Sequence, residues 1–252
     1  MIPVSVCMST FNGGRHLREQ VDSILLQLGA KDELVVVDDG SHDDSVAVLQ
    51  ALGDMRIRLH CNDSNLGPVR SFERALGLAK GEIVFLADQD DVWLPGKVEA
   101  MVAALAAAEL AVSDCRVVDE SLVELHPSFF ARQRSGPGLL RNLARNSFLG
   151  CCMAMRRELL QFALPFPARV PMHDWWLGLV GQTFGRVVFL EQPLLLYRRH
   201  GANASTTAGV STAPWSMRIR WRLQLVSALA GRKARVAARS LATDASQSGE
   251  RA

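Results

Sequence analysis

The chain has 252 residues, 48% of them hydrophobic and 21% charged, with a formal net charge of +2. That length suits one large α/β domain, or a core with a short appendage, and the composition excludes disorder, a membrane bundle and a nucleic-acid partner. The most apolar helical stretch, Met101 to Val112, carries Glu109 and falls short of the roughly 20 residues that a bilayer span needs.

Met1 to Thr10 lacks a basic head and a cleavage site, so it reads as a strand from Pro3 to Ser9 rather than an export signal. Asn12-Gly13-Gly14 makes a turn, and Leu17, Val21, Ile24, Leu25 and Leu28 recur at helical spacing. Glu33 to Asp38 is a second strand, and Asp43 to Leu52 a helix opened by acids that suit its positive end. Arg56 to Cys61 is a third strand. A helix starting at Pro68 runs to Lys80, and Gly81 stops it. Glu82 to Ala87 is the fourth strand, Pro95 opens the fourth helix, and Leu110 to Val118 is the fifth strand.

From Asp119 to Asn146 periodicity weakens, and Ser135-Gly136-Pro137-Gly138 marks a loop. Beyond it, Phe148 to Met155 reads as a strand and Arg156 to Phe162 as a helix. Asp174 to Phe184 reads as another helix, and Arg186 to Leu190 and Leu194 to Arg199 as two strands. Strands alternating with helices predict a mostly parallel, Rossmann-like central sheet with helices on both faces. Residues 1–118 form the first half of a domain extending to 210, residues 119–210 the second, and residues 211–252 a basic helical tail with a disordered end.

Two apolar runs each deliver acids at a strand's carboxyl end, the rim where open α/β sheets bind ligands. Val35-Val36-Val37 leads into Asp38-Asp39-Gly40-Ser41, which taken alone is equally well a strand-to-loop turn. Ile83 to Ala87 leads into Asp88-Gln89-Asp90-Asp91, whose acids have no role in a turn. Carboxylates gathered there repel one another unless a cation or hydroxyl satisfies them. A hard divalent metal carrying a phosphorylated ligand does so.

With Val4-Ser5-Val6-Cys7-Met8-Ser9-Thr10-Phe11-Asn12-Gly13, Asn65-Leu66-Gly67-Pro68 and Val92-Trp93 added to those clusters, the chain resembles the family 2 glycosyltransferases, inverting enzymes of the GT-A fold. His173-Asp174-Trp175-Trp176 and the run Tyr197 to Asn203 are similar to the bacterial rhamnosyltransferase-like subgroup. The resemblance implies a pyrimidine nucleotide-diphosphate sugar donor, dTDP-rhamnose among the options, and a glycan or lipid-linked glycan acceptor in cell-surface polysaccharide synthesis.

It also implies roles. Thr10, Phe11 and Asn12 line the nucleotide pocket, with Asp39 accepting from the imide N–H of the base. Asn65 and Arg70 close the nucleotide side, Arg70 near phosphate. Asp88 contacts the ribose, Asp90 and His200 hold Mg2+ or Mn2+ against the diphosphate, and Asp91 holds the loop. Asp174 is the general base, although an acid at a helix start is as readily a favourable N-terminal charge. His173 tunes Asp174 or touches acceptor. Trp175 and Trp176, about 100° apart on a helix, divide between core and a platform for the acceptor sugar.

Five cysteines, odd in number and without C-x-x-C spacing, point to a reducing cytoplasm. The tail carries seven basic residues and no acid from Trp215 to Arg239. It is read either as a peripheral contact with the inner face of the membrane or as a docked helix. Trp221, Leu225 and Leu229 share a side with Arg218 and Arg222, so the wheel shows no clean stripe. A dehydrogenase is disfavoured because Thr10-Phe11-Asn12-Gly13-Gly14 is no G-x-G-x-x-G. A sugar nucleotidyltransferase and a non-catalytic scaffold in a glycan-assembly complex are the remaining alternatives.

Overall fold

The computed structural model describes residues 2–199 and 214–249, with side chains up to 238. Nine strands form one sheet in the order β3-β2-β1-β4-β8-β6-β9-β5, with β7 paired to β6. The first four in that order, β3 (Ile57–Cys61), β2 (Glu33–Asp38), β1 (Val4–Thr10) and β4 (Ile83–Ala87), are parallel. Val35, Val36, Val37 and Leu86 are wholly buried, as expected of parallel strands covered on both faces. Register opposes Thr10 to Asp38 and Met8 to Ala87. Asp39 and Asp88, the next residues of their chains, therefore emerge at the same rim.

Helices α1 (Gly14–Leu25) and α2 (Ser45–Leu52) pack on each other, and α3 (Pro68–Leu78) packs on β1 and β2. Beyond β4 the sheet is mixed. The short β5 (Val92–Trp93) and α4 (Lys97–Ala104) lead to β6 (Leu110–Val118), and β8 (Met153–Arg156) inserts antiparallel between β4 and β6. Strand β9 (Val187–Arg198) runs parallel to β6 and antiparallel to β5. The second half of the chain thus completes the sheet begun by the first.

Three sequence expectations change. The two strands expected between Arg186 and Arg199 are one strand, whose register shifts against Ser113, Asp114 and Arg116. Pro193, opposite Asp114, has no N–H to offer a regular ladder. The stretch Phe148 to Met155 is strand only from Met153, because Gly150–Cys152 coils into a single 3-10 turn. The expected loop 119–146 contains β7 (Glu124–His126), α5 (Phe129–Gln133) and α6 (Leu139–Ala144). These are fixed by tertiary bonds rather than periodicity: Asp114 accepts from Ser128 Oγ and Phe130 N, and Asn142 donates to Gly136 O. In the tail, α9 spans Trp215–Gly249.

After the short α7 (Leu160–Ala163), helix α8 (His173–Phe184) is buried from His173 through Gly181. A Cβ added at Gly178 would lie 2.2 Å from the Phe148 ring, so α8 reaches its depth by closest approach at this residue. Gly178→Ala is therefore expected to destabilise the fold by about 1–3 kcal/mol despite better helix propensity. A urea unfolding midpoint equal to wild type would show that Phe148 yields without cost.

Candidate active site

At the carboxyl rim a crevice of about 200 Å³ opens among the loops after β1, β2 and β4, the 3-10 turn and the start of α8. Phe11, Asp39, Asn65, Asp88, Asp90, His173 and Asp174 all line it. Seven residues expected from sequence therefore converge. Thr10, Asn12, Arg70, Trp175 and Trp176 lie off its wall, and His200 falls outside the described residues.

The side of the crevice formed by the first half is organised by two polar side chains. Asp39 Oδ1 accepts from Asn62 Nδ2 (2.7 Å) and Leu66 N (2.9 Å), and Oδ2 accepts from Gly67 N (2.8 Å). A carboxylate offers about four lone-pair sites, so one remains for a ligand. Gln89 Oε1 accepts from Thr10 Oγ1 (2.7 Å) and Phe11 N (2.8 Å). Buried Thr10 thus supports the pocket from behind, while Phe11 stands half-exposed in it. Asn12 instead joins loops, its Oδ1 accepting from His42 N at 2.8 Å. Arg70, expected to close the nucleotide side, is held by Glu73 and by Ala168 O.

Acids dominate the floor. Burial, then the neighbouring Asp90 and Asp174 charges, lift the Asp88 carboxyl to about 7. Asp91 is wholly buried and raised by the same combination of burial and neighbouring carboxylates, Asp90 and Asp88. Its Oδ1 accepts from Arg198 N (3.0 Å) and its Oδ2 has no partner. Ligand atoms of Asp88, Asp91 and Cys151 lie within 4.8 Å of one another. Burial holds the Cys151 thiol protonated beside both carboxyls. The hard donors here are the carboxylates, which suit Mg2+ or Mn2+.

Asp174 faces this floor from the first turn of α8. It accepts from Trp175 N at 2.6 Å and from Gly150 N, yet burial raises it to about 7. Gly150 permits the approach, since a Cβ there would sit 2.9 Å from His173 Nε2. The His173 ring stacks on Phe72 with centroids 4.0 Å apart. Neither ring nitrogen has a partner, and burial lowers its pKa to about 3.

Neither tryptophan supplies the expected platform. Trp176 Nε1 donates to Ala163 O (3.0 Å) and Trp175 Nε1 to Asn142 O (2.7 Å), with both indoles buried. Sequence reasoning missed Phe72, Leu149, Gly150 and Met172, which also line the wall. Their signal was ordinary core composition, indistinguishable from packing.

The family model described as "Glycosyl transferase family 2" matches residues 5–162. The chain is 28% identical over 227 residues to an uncharacterized glycosyltransferase of Nostoc, covering 83% of this chain and 69% of that protein. It is 26% identical over 176 residues to the UDP-Glc:alpha-D-GlcNAc-diphosphoundecaprenol beta-1,3-glucosyltransferase WfgD of Escherichia coli, covering 68% of each. Among solved structures, S. aureus TarS 1-349 with UDP-GlcNAc superposes with a TM-score of 0.66 at 17% identity, over 90% of this chain and 66% of that one. The mannosyltransferase PcManGT of Pyrobaculum calidifontis, solved with GDP-Man and Mn2+, superposes at 0.61 with 19% identity over 97% and 79%. The fold is GT-A, and the chain spans about two thirds of the TarS fragment's length.

The raised Asp174 carboxyl has a thermodynamic signature. The folded chain keeps this proton up to about pH 7, whereas the unfolded chain releases it near 3.8. Stability from the neutral carboxyl is complete below the lower value and is lost as pH rises through the upper one. Asp174→Asn, neutral throughout, should match wild type near pH 4 and exceed it by on the order of 2–4 kcal/mol at about pH 8 without metal. Urea denaturation at both pH values measures this, and a pH-independent difference would show an ordinary carboxyl.

Proposed function

The chain belongs to glycosyl transferase family 2, and we propose that it moves a sugar from a pyrimidine nucleotide-diphosphate donor to a hydroxyl of a growing cell-surface glycan. The acceptor is free or lipid-linked, and the anomeric carbon inverts. The observation that carries this reading is the convergence of Asp39, Asp88, Asp90 and Asp174 on one crevice. On the donor side, the remaining acceptor site of Asp39 suits the imide N–H of uracil or thymine. Phe11 and Asn65 flank it, and Asp88 in the same crevice suits a ribose hydroxyl.

Asp90, with Asp88 beside it, would hold Mg2+ or Mn2+, which supplies positive charge against the departing diphosphate. Asp174 suits a general base because its pKa of about 7 matches neutral operation. Its carboxylate takes the proton of the acceptor hydroxyl as that oxygen bonds to the anomeric carbon. The bond from that carbon to the diphosphate breaks, and the nucleoside diphosphate leaves with the electron pair. One displacement from the opposite face inverts the centre. His173, neutral beside Asp174, offers the acceptor a hydrogen bond from an otherwise unpartnered ring.

A thermal-shift panel of UDP-, dTDP- and GDP-sugars with Mn2+ or Mg2+, dTDP-rhamnose included, tests donor class. A pyrimidine nucleotide sugar should raise the melting temperature of wild type and Asp174→Asn alike. Turnover in the variant should fall about 10²–10⁴-fold, with nucleoside diphosphate as wild-type product. Pyrophosphate release would favour a nucleotidyltransferase. No shift with any pyrimidine compound would favour the scaffold reading.

A further inference from the structure

Helix α9 has two apolar faces, and only one is used by the body of the protein. Leu225 and Leu229 are buried, and Trp221 and Ala228 pack beside them, where the helix meets α6 and α8. Two arginines fasten that face. The Arg222 guanidinium stands 5.7 Å from the Trp175 ring centroid and donates to Ala144 O, and Arg232 donates to Leu164 O at 2.9 Å.

The second face is exposed: Trp215 (74%), Ile219 (46%), Leu223 (65%) and Val226 (45%). Their spacing of four, four and three residues places them on one side of a helix. The wheel of the bare sequence hid this stripe because the residues of the docked face were counted with it.

We propose that this stripe is an interfacial anchor for an anionic lipid bilayer. Charge identifies the occupant. Arg220, Lys233 and Arg235 are exposed and have no acidic partner among the described residues. Arg169, from the body, borders the groove that runs beside Ile219 and Leu223. No Asp or Glu occurs between Trp215 and Arg239, so nothing on this stretch, which carries the stripe, repels phosphate headgroups. Trp215 at the start of the stripe has the amphipathic ring that settles at headgroup depth. A second copy of this helix would bring like charges together. No described helix is long and apolar enough to cross a membrane, so the contact lies in the surface plane. Because the docked face rests on α8, the helix that carries Asp174 acquires a fixed height above the lipid.

Sedimentation of the whole chain with vesicles tests the anchor without turnover, so it fails or stands independently of the glycosyltransferase reading. Vesicles of equal parts phosphatidylglycerol and phosphatidylcholine should bring wild type down, and phosphatidylcholine alone should not. Leu223→Glu should abolish binding, and Arg220→Gln should weaken it roughly fivefold. Met55→Glu, at an exposed residue remote from the helix in sequence, should bind like wild type. Unchanged melting temperatures would show that all three fold. The proposal is overturned if wild type ignores anionic vesicles or if Leu223→Glu binds equally. It is also overturned if the stripe variant abolishes self-association in a protein that never binds lipid.

Discussion

The burial of several carboxyl groups at one rim, with repulsion between neighbours added at Asp88 and Asp91, is the constraint around which this molecule is arranged. Asp88, Asp90, Asp91 and Asp174 meet at one rim of the sheet. Two like charges about 5 Å apart in an effective dielectric of 20 repel by about 3 kcal/mol. The scaffold lessens this in several ways. Arg198 N donates to Asp91, and the protonated Cys151 thiol, not a further charge, stands beside Asp88 and Asp91. Below, the wholly buried Lys97 donates to Cys151 O at 2.7 Å while its ammonium stands 4.8 Å from the Trp93 ring centroid. The raised carboxyl groups show that repulsion and burial outweigh these contacts. The floor therefore holds protons that a divalent cation can displace.

The donor side follows the opposite principle. Asp39 and Gln89 each spend most of their bonding capacity on backbone or neighbouring side chains. Both fix loops from different strand ends, so the position of Phe11 depends on the loop after β4 and that of Gly67 on the loop after β2. A change in either loop reaches this side of the crevice through these bonds alone. This preorganisation limits the ordering that binding must impose.

Much of this was legible in the sequence. The first four strands, the start of α3 and the acid clusters carried strong local signals: unbroken apolar runs, a proline at a helix start, and acids at strand ends. Leu110–Val118 was read to the residue. What failed had tertiary causes. Pro193 sits inside a strand because a register shift at Asp114 accommodates it. Helices α5 and α6 exist because Asp114 and Asn142 bind their ends. Trp175 and Trp176 are both core because α9 and α6 cover one and the α7 region the other, a matter of neighbours that spacing does not reveal. Arg70, expected near phosphate by resemblance, pairs with Glu73 in its own helix, a contact that the resemblance does not predict.

Asp174 shows how magnitude decides between effects. A carboxylate in the first turn of a helix gains from the positive terminus, by about 0.3–1 kcal/mol at a surface and up to ~2 when partly buried. That alone would lower its pKa, and the N–H groups of Trp175 and Gly150 act in the same direction. Yet the group moves up from 3.8 to about 7, a net change on the order of 4 kcal/mol. Desolvation under Gly150 and His173 thus exceeds everything the helix end supplies. A helix start in an open crevice would leave a carboxylate too weakly basic to take a proton at neutral pH. The same start closed over by the 3-10 turn holds a carboxyl whose pKa of about 7 suits the proposed general base, and the glycine at position 150 lets the turn come that close.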